Sequence, residues 1–365
     1  LNHGWGPVKS LGGENEAYGR GDFVTRLTPD QVKDRIATMR ELAGDLREAG
    51  VRWVIPYICA MTINGNHEKR SGFWEFYDHW DEYRSLGLGP RPASDPFTWL
   101  QRNPDGSPRM YYRYTGDHYL SFDVPNHRYA ASWHAKGFRE WMREVVRFLA
   151  KCDFDGCFVD NGTSQRGIGP LALVEFKQHL EKTIGKEKAR DWFGVEDIEK
   201  VEFPTKAGTP LFVEMNRFWC ETIRDQMAFI KEVGTRELGR EFVVFPNGGR
   251  PGYIQSALMD TDFVMFEKSH GEYGSHPGLV FAPIFDEVKL RAYNDNIFEH
   301  KYVQSLRQRV KPVILSREGY PTRLPWAMLN PNAAELGFAE SAAFSGGGGF
   351  LLRPDFDLYH DALNK

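Results

Sequence analysis

Asp153-Phe154-Asp155-Gly156-Cys157-Phe158-Val159-Asp160-Asn161-Gly162 is the stretch on which the fold turns. Its apolar centre, Cys157-Phe158-Val159, stands between a polar, Gly-containing entry and an Asp-Asn-Gly exit. A run that short and that apolar reads as a strand covered on both faces, the signature of a parallel sheet packed under helices. Directly upstream, the span from Ala131 to Lys151 carries Trp133, Phe138, Trp141, Val145, Phe148 and Leu149 at helical spacing. A helix feeding such a strand is half of a βαβ unit.

Working outward, the same couplet recurs. Thr28-Pro29-Asp30 opens a helix with Thr28 as N-cap and Pro29 at its first position, and Val32, Ile36, Met39, Leu42, Ala43 and Leu46 form its apolar stripe until Gly50 stops it. Val51 to Ile58 follows as a strand. The long amphipathic span from Leu211 to Leu238 leads into Glu241 to Phe245, which ends in Pro246-Asn247. A short helix from Ile254 to Met259 precedes Asp262 to Phe266, ending in Glu267. A helix from Glu287 to Val310 precedes Pro312 to Leu315, ending in Ser316-Arg317-Glu318, and one from Ala333 to Phe344 precedes the glycine run and Phe350-Leu351-Leu352. Tyr119 to Val124 adds a strand before the Ala131 helix. Seven strands are thus expected, at about 51–58, 119–124, 157–160, 242–246, 263–267, 312–316 and 349–352. An eighth belongs before the Thr28 helix, with its end at His3-Gly4-Trp5. The expected fold is α/β, one (β/α)8 TIM barrel over residues 1–365, with a doubly wound open sheet as the alternative. Two insertions exceed the minimal barrel, at about 59–118 and 163–208, and loops of that length in a compact domain usually carry function.

Composition sets the outer limits. With 41% hydrophobic and 26% charged residues the chain is globular rather than disordered, collagenous or fibrous. The 46 Lys plus Arg against 50 Asp plus Glu provide no basic field, so no nucleic-acid partner is expected. No apolar run is long enough for a membrane span. Leu1-Asn2-His3-Gly4 has neither a charged nor an apolar leader region, and without an initiator Met the chain reads as processed or trimmed. A removed signal peptide fits that reading, and a periplasmic or secreted setting is expected over a cytoplasmic one. The 4 cysteines are too few for a disulfide scaffold, and a single Cys-x4-Cys at Cys152 and Cys157 is no zinc site. His67, His79, His118 and His127 lack ligand spacing, and neither a Gly-x-Ser-x-Gly elbow nor a nucleotide-binding glycine loop occurs, so no metal or cofactor is expected.

The aromatic residues point to a ligand class. Phe, Tyr and Trp number 26, 15 and 10, and many of the Trp and Tyr sit in Gly/Pro/Asp-rich segments. Flat rings beside carboxylates suit a sugar, whose C–H face packs on a ring while its rim takes hydrogen bonds. Trp74, Trp80 and Trp99 in the first insertion are expected to include a wall of the cleft. In a barrel the active site lies at the carboxyl ends of the strands. Asp160 and Glu267 both end apolar strands, and two such carboxylates are the minimal apparatus for cleaving a glycosidic bond. The remaining candidates for substrate contact are His3, Trp5, Trp74, Asp123, Asn126, His127, Asn161, Asn247, Arg317 and Glu318. The asparagines suit sugar hydroxyls rather than proton transfer. Two other readings stay open: a carbohydrate-binding barrel without turnover, and a barrel lyase or isomerase acting on a uronic acid, whose carboxylate Arg317 would hold.

Gly156-Cys157-Phe158-Val159-Asp160-Asn161 resembles the fourth-strand region of retaining (β/α)8 glycoside hydrolases, the group holding α-amylases, dextranases and α-galactosidases. The resemblance implies Asp160 as nucleophile and Glu267, ending the sixth strand in that count, as acid/base. Asp123-Val124-Pro125-Asn126-His127 is similar to the Asp-x-x-x-Asn-His region of α-amylases, one residue different in spacing. Phe158 stands where amylases keep Arg, and Pro246-Asn247 ends the strand where they keep Glu. The likeness is therefore to the superfamily. Retention would place the two carboxyl groups about 5 to 5.5 Å apart.

Overall fold

The structure is a computed structural model that describes residues 26–112, 127–160, 162, 169–247, 261–268, 301–305, 311–316, 339, 342–343 and 347–350; for residues 111–112, 127–128, 266–268, 311–316 and 347–350 the description covers the backbone alone. The chain divides into two compact units, Leu1–Val244 and Phe245–Lys365.

The first unit opens with α1 (Pro29–Glu48). Its start is a capping box in which the Gln31 amide donates to Thr28 Oγ1 at 3.3 Å and the Thr28 amide donates to Gln31 Oε1 at 2.9 Å. Three strands, β1 (Tyr57–Cys59), β6 (Gly156–Asp160) and β7 (Val243–Pro246), form a sheet in the order β1-β6-β7, with β1 and β6 parallel. The first strand is shorter than the sequence suggests. Pro56 has no N–H to give the ladder, although the Val54 and Pro56 carbonyls already accept from Asp155 and Phe158 at 3.0 and 2.8 Å. Gly156 is required where it stands, because a Cβ there would lie 2.1 Å from the Val243 carbonyl oxygen.

The pairing of β1 with β6 corrects the expected strand order. Tyr57 is opposite Phe158 and Cys59 opposite Asp160, so the place expected for a strand at 119–124 is already filled. Residues 119–124 themselves, like the expected first strand, lie outside the described residues. Between β1 and β6 the chain instead makes an excursion, an antiparallel sheet in the order β3-β2-β5-β4 built from β2 (Thr62–Asn66), β3 (Ser71–Gly72), β4 (Met110–Tyr112) and β5 (His127–Ala130). With it come the short helix α2 (Phe73–Asp78) and 3-10 turns at Trp80–Leu86 and Pro96–Trp99.

This excursion holds an aromatic core, and the expected cleft wall is part of it. Trp74, Trp80 and Trp99 are 0%, 0% and 1% exposed. Phe73 and Trp80 pack on Trp141 at 5.0 and 5.8 Å between ring centroids, Tyr77 meets Trp99 edge-on at 5.8 Å, and Trp74 meets Tyr129 at 5.5 Å. The indole N–H groups are spent as well: Trp80 donates to the Gly89 carbonyl and Trp99 to Ser94 Oγ, both at 2.8 Å, and Trp74 donates to Asp95 at 3.4 Å. Neither face nor edge of these rings is left for a ligand.

Trp141 belongs to α3 (Lys136–Lys151), which packs on α6 (Pro210–Leu238). The latter starts at the Thr209 N-cap and stops at Gly239, whose φ of 72° only glycine adopts readily. Between β6 and α6, the second insertion forms α4 (Pro170–His179), a π-helical turn at Leu180–Ile184 and α5 (Lys186–Phe193). Phe176, Leu180, Ile198 and Val201 close a small core against Met215 and Phe218 of α6.

At the foot of β6 sits a charged clamp. Asp155 accepts from the Val54 amide at 2.9 Å, from Arg47 Nη2 at 3.1 Å and from Arg240 Nη2 at 2.8 Å. Asp153 accepts from the same two guanidinium groups at 2.8 and 3.0 Å. Burial works against the charge of both carboxylates, and the two arginines, joined at Asp155 by the Val54 amide, outweigh it and hold both below the ordinary carboxylate range. Asp155→Ala removes the group that ties α1, β1 and the end of α6 together. It should cost about 3 kcal/mol, read as a lower urea midpoint at unchanged slope.

The second unit contains β8 (Phe263–Lys268), β9 (Lys311–Ser316) and β10 (Gly347–Phe350), a parallel sheet in the order β10-β9-β8. Asn247 forms an isolated parallel bridge with Met265. The glycine run, expected to lead into the last strand, is the strand itself: Gly347 to Gly349 pair with Val313 to Leu315. Parallel strands that neighbour each other in chain order are what βα winding produces.

Candidate active site

Asp160 is the last residue of β6 and is buried. Side chains alternate along a strand, so the register decides which groups share its side of the sheet. Ile58, Cys157 and Val159 are on the dry face, each fully covered. Tyr57, Cys59, Phe158 and Asp160 are on the other, where Tyr57 and Phe158 keep partial exposure. The Tyr57 hydroxyl donates to Asp160 Oδ2 from the adjacent strand. Its ring lies 5.5 Å from that of Phe158 at an interplanar angle of 53°. Beyond β1, the Gln226 side-chain amide of α6 donates to the Ala60 carbonyl at 2.7 Å and Thr62 Oγ1 donates to Cys59 Sγ at 3.3 Å, bracing the turn beside this pair. The arrangement is a buried carboxylate on a rigid strand end, held by a neutral phenol. It suits a carboxylate that attacks carbon or stabilises a cation, because the carboxylate oxygens are nucleophilic and the phenol brings no competing charge.

The other expected site residues divide three ways. Asn247 directly follows β7 and is half-buried, a place compatible with the mouth of a parallel sheet. Glu267 lies in β8 opposite Leu315, one residue before the strand ends, and its side chain falls outside the described residues. His3, Trp5, Asp123, Asn126, Asn161, Arg317 and Glu318 also fall outside them. The structure places two residues away from the expected mouth: Trp74 is sealed in the aromatic core of the excursion, and the His127 backbone begins the antiparallel strand β5 opposite Gly65, its side chain lying outside the described residues. Tyr57 was not singled out from the sequence. The signal for it is its parity: it lies two residues before Cys59, the register partner of Asp160.

Two buried cysteines next to or within β6 are poor nucleophiles. Burial pushes the Cys152 thiol up to about 12 and the Cys157 thiol further still, so both stay protonated. Among the described residues no group of three or more His, Cys, Asp and Glu is placed to hold a metal ion. His134 stacks on Phe218 at 5.2 Å with Nε2 3.4 Å from Thr222 Oγ1. Burial, and then the nearby Arg139, hold it down to about 4 against the weaker pull of Asp225. An imidazole held that low is neutral at pH 7. In the unfolded chain it takes up its proton at about pH 6.5, so folding stability should fall as pH drops from there toward 4, by up to about 3 kcal/mol. Denaturation curves across that range should flatten in His134→Gln.

No protein-family model matches the sequence, and neither does any curated protein. Among solved structures, a β-galactosidase from the haloarchaeon Halorubrum lacusprofundi is similar with a TM-score of 0.53 at 14% identity over 75% of this chain. The match covers 45% of the β-galactosidase, so the chain spans less than half of its length. A trehalose-6-phosphate hydrolase from Bacillus licheniformis has a TM-score of 0.46 at 12% identity, over 94% of this chain and 56% of that one. An α-galactosidase from Thermus thermophilus has a TM-score of 0.41 at 12% identity, over 89% and 51%. At such identities the likeness to the β-galactosidase is one of fold alone: this chain shares its α/β fold over the matched residues.

Proposed function

We propose that the chain is a glycoside hydrolase that works with retention of configuration on a (β/α)8 barrel spanning residues 1–365, with Asp160 as nucleophile and Glu267 as acid/base. The observation that carries the reading is the placement of Asp160, a buried carboxylate closing a parallel apolar strand and bonded by Tyr57. The parallel pairing of β1 with β6, and of β8, β9 and β10 in chain order, supports the barrel, and so does the fold shared with the β-galactosidase. In the first step an Asp160 oxygen bonds to the anomeric carbon while the glycosidic C–O bond breaks and the leaving oxygen takes the proton of Glu267. In the second, a water oxygen bonds to that carbon, its proton passes to Glu267, and the ester C–O bond breaks to return the carboxylate. Asn161 and Asn247, beside two strand ends, would hold sugar hydroxyls.

The test is a screen of 4-nitrophenyl glycosides and polysaccharides, headed by galactosides because the Halorubrum protein is a β-galactosidase. The configuration of the first-formed sugar is followed by NMR. Release of a sugar with its starting configuration is expected. Inverted product removes the nucleophile assignment, and binding without release on every substrate replaces the enzyme with a carbohydrate-binding barrel.

A further inference from the structure

We propose that Tyr57 is a positioning residue for Asp160 and that it serves chiefly the second half of the reaction, the release of the sugar from the enzyme. The inference rests on the reading of Asp160 as nucleophile. Tyr57 and Asp160 stand on neighbouring parallel strands, in a register that puts both on the more open face of the sheet. The phenol reaches Oδ2 from a ring packed on Phe158, so its position is set by the sheet rather than by a loop.

A hydrogen bond from a neutral hydroxyl to a carboxylate strengthens with the charge on the acceptor. A carboxylate that acts as nucleophile carries its charge before attack, and the bond to it is then strong. When an Asp160 oxygen bonds to the anomeric carbon that charge is consumed in an ester, and the bond weakens on the way to the first transition state. When water displaces the carboxylate the charge returns, and the bond strengthens on the way to the second. Tyr57 therefore helps the carboxylate leave more than it helps it attack.

The test compares Tyr57→Phe with wild type on the 4-nitrophenyl glycoside that the screen identifies. If the hydroxyl favours release, kcat falls about tenfold, KM falls by a similar factor, and kcat/KM stays within about threefold. Rapid mixing should then show a burst of nitrophenol, because the ester accumulates. A structural role would lower kcat/KM as much as kcat, with no burst, and that result overturns the inference. Unchanged kinetics overturn it equally. A second comparison guards against a misfolded variant: Tyr57→Phe added to Asp160→Asn should leave the Kd for the same glycoside unaltered, and a weaker Kd marks damage to the site and overturns the positioning role. Asp160→Asn alone separates the two levels. If it keeps turnover, the nucleophile reading fails; if it is inactive while Tyr57→Phe behaves in either overturning way, this inference fails alone.

Discussion

Asp160→Asn should abolish hydrolysis of every glycoside the wild-type protein cleaves, a loss of about 10³-fold or more in kcat. The amide keeps the shape of the carboxylate and its oxygen still accepts from the Tyr57 hydroxyl, so the strand end should stay folded while its nucleophile is gone. The companion change, Glu267→Gln, removes a proton donor instead. It should spare the first step on substrates whose leaving groups depart without protonation and slow the second, which azide should restore with a glycosyl azide of retained configuration as product. Comparable kcat for wild type and Asp160→Asn on the natural polysaccharide would remove this pair and send the search to Asp123 and Glu318.

The second large effect is on stability. Trp99→Ala deletes a ring that is 1% exposed, packs on Phe73 and Tyr77, and donates from its indole to Ser94. Gly137 of α3 makes room for it, since a Cβ there would lie 2.3 Å from the indole nitrogen. A cavity of that size should cost about 4 kcal/mol, read by denaturant midpoint. Were Trp99 a cleft wall, the same change would weaken substrate binding and leave the midpoint nearly unmoved, which makes the experiment a direct check on the role of the excursion.

Much of this architecture is legible in the residues. Thr28 and Pro29 mark the start of α1 by local chemistry alone, and Gly50 follows closely on its end. The apolar runs at 157–159, 243–245 and 263–266 are strands because few other arrangements bury three or four apolar residues between turn signals. What failed to show is non-local. The segment 119–124 has the composition of a strand, yet the neighbour of β6 is β1, a fact of pairing between residues about a hundred positions apart. Trp74, Trp80 and Trp99 lack helical or strand periodicity because they sit on short helices and turns. Their sequence neighbours therefore resemble those of loop aromatics lining a cleft, and only mutual packing reveals that the ring faces are covered. Asp160 is visible because it closes an apolar strand; Tyr57 is hidden because its place beside Asp160 depends on the register between two strands.

The two acids that bracket β6 have a consequence for anyone surveying substitutions along it. Asp155 just before the foot and Asp160 at the tip are separated by a strand of about 16 Å and share no hydrogen-bond partner among those described. Variants at 155 would be lost from the soluble fraction, whereas variants at 160 would express well and be inert. A colony screen scored by colour alone gives both the same blank result, so soluble yield has to be recorded clone by clone before a blank at either end of the strand is attributed to chemistry.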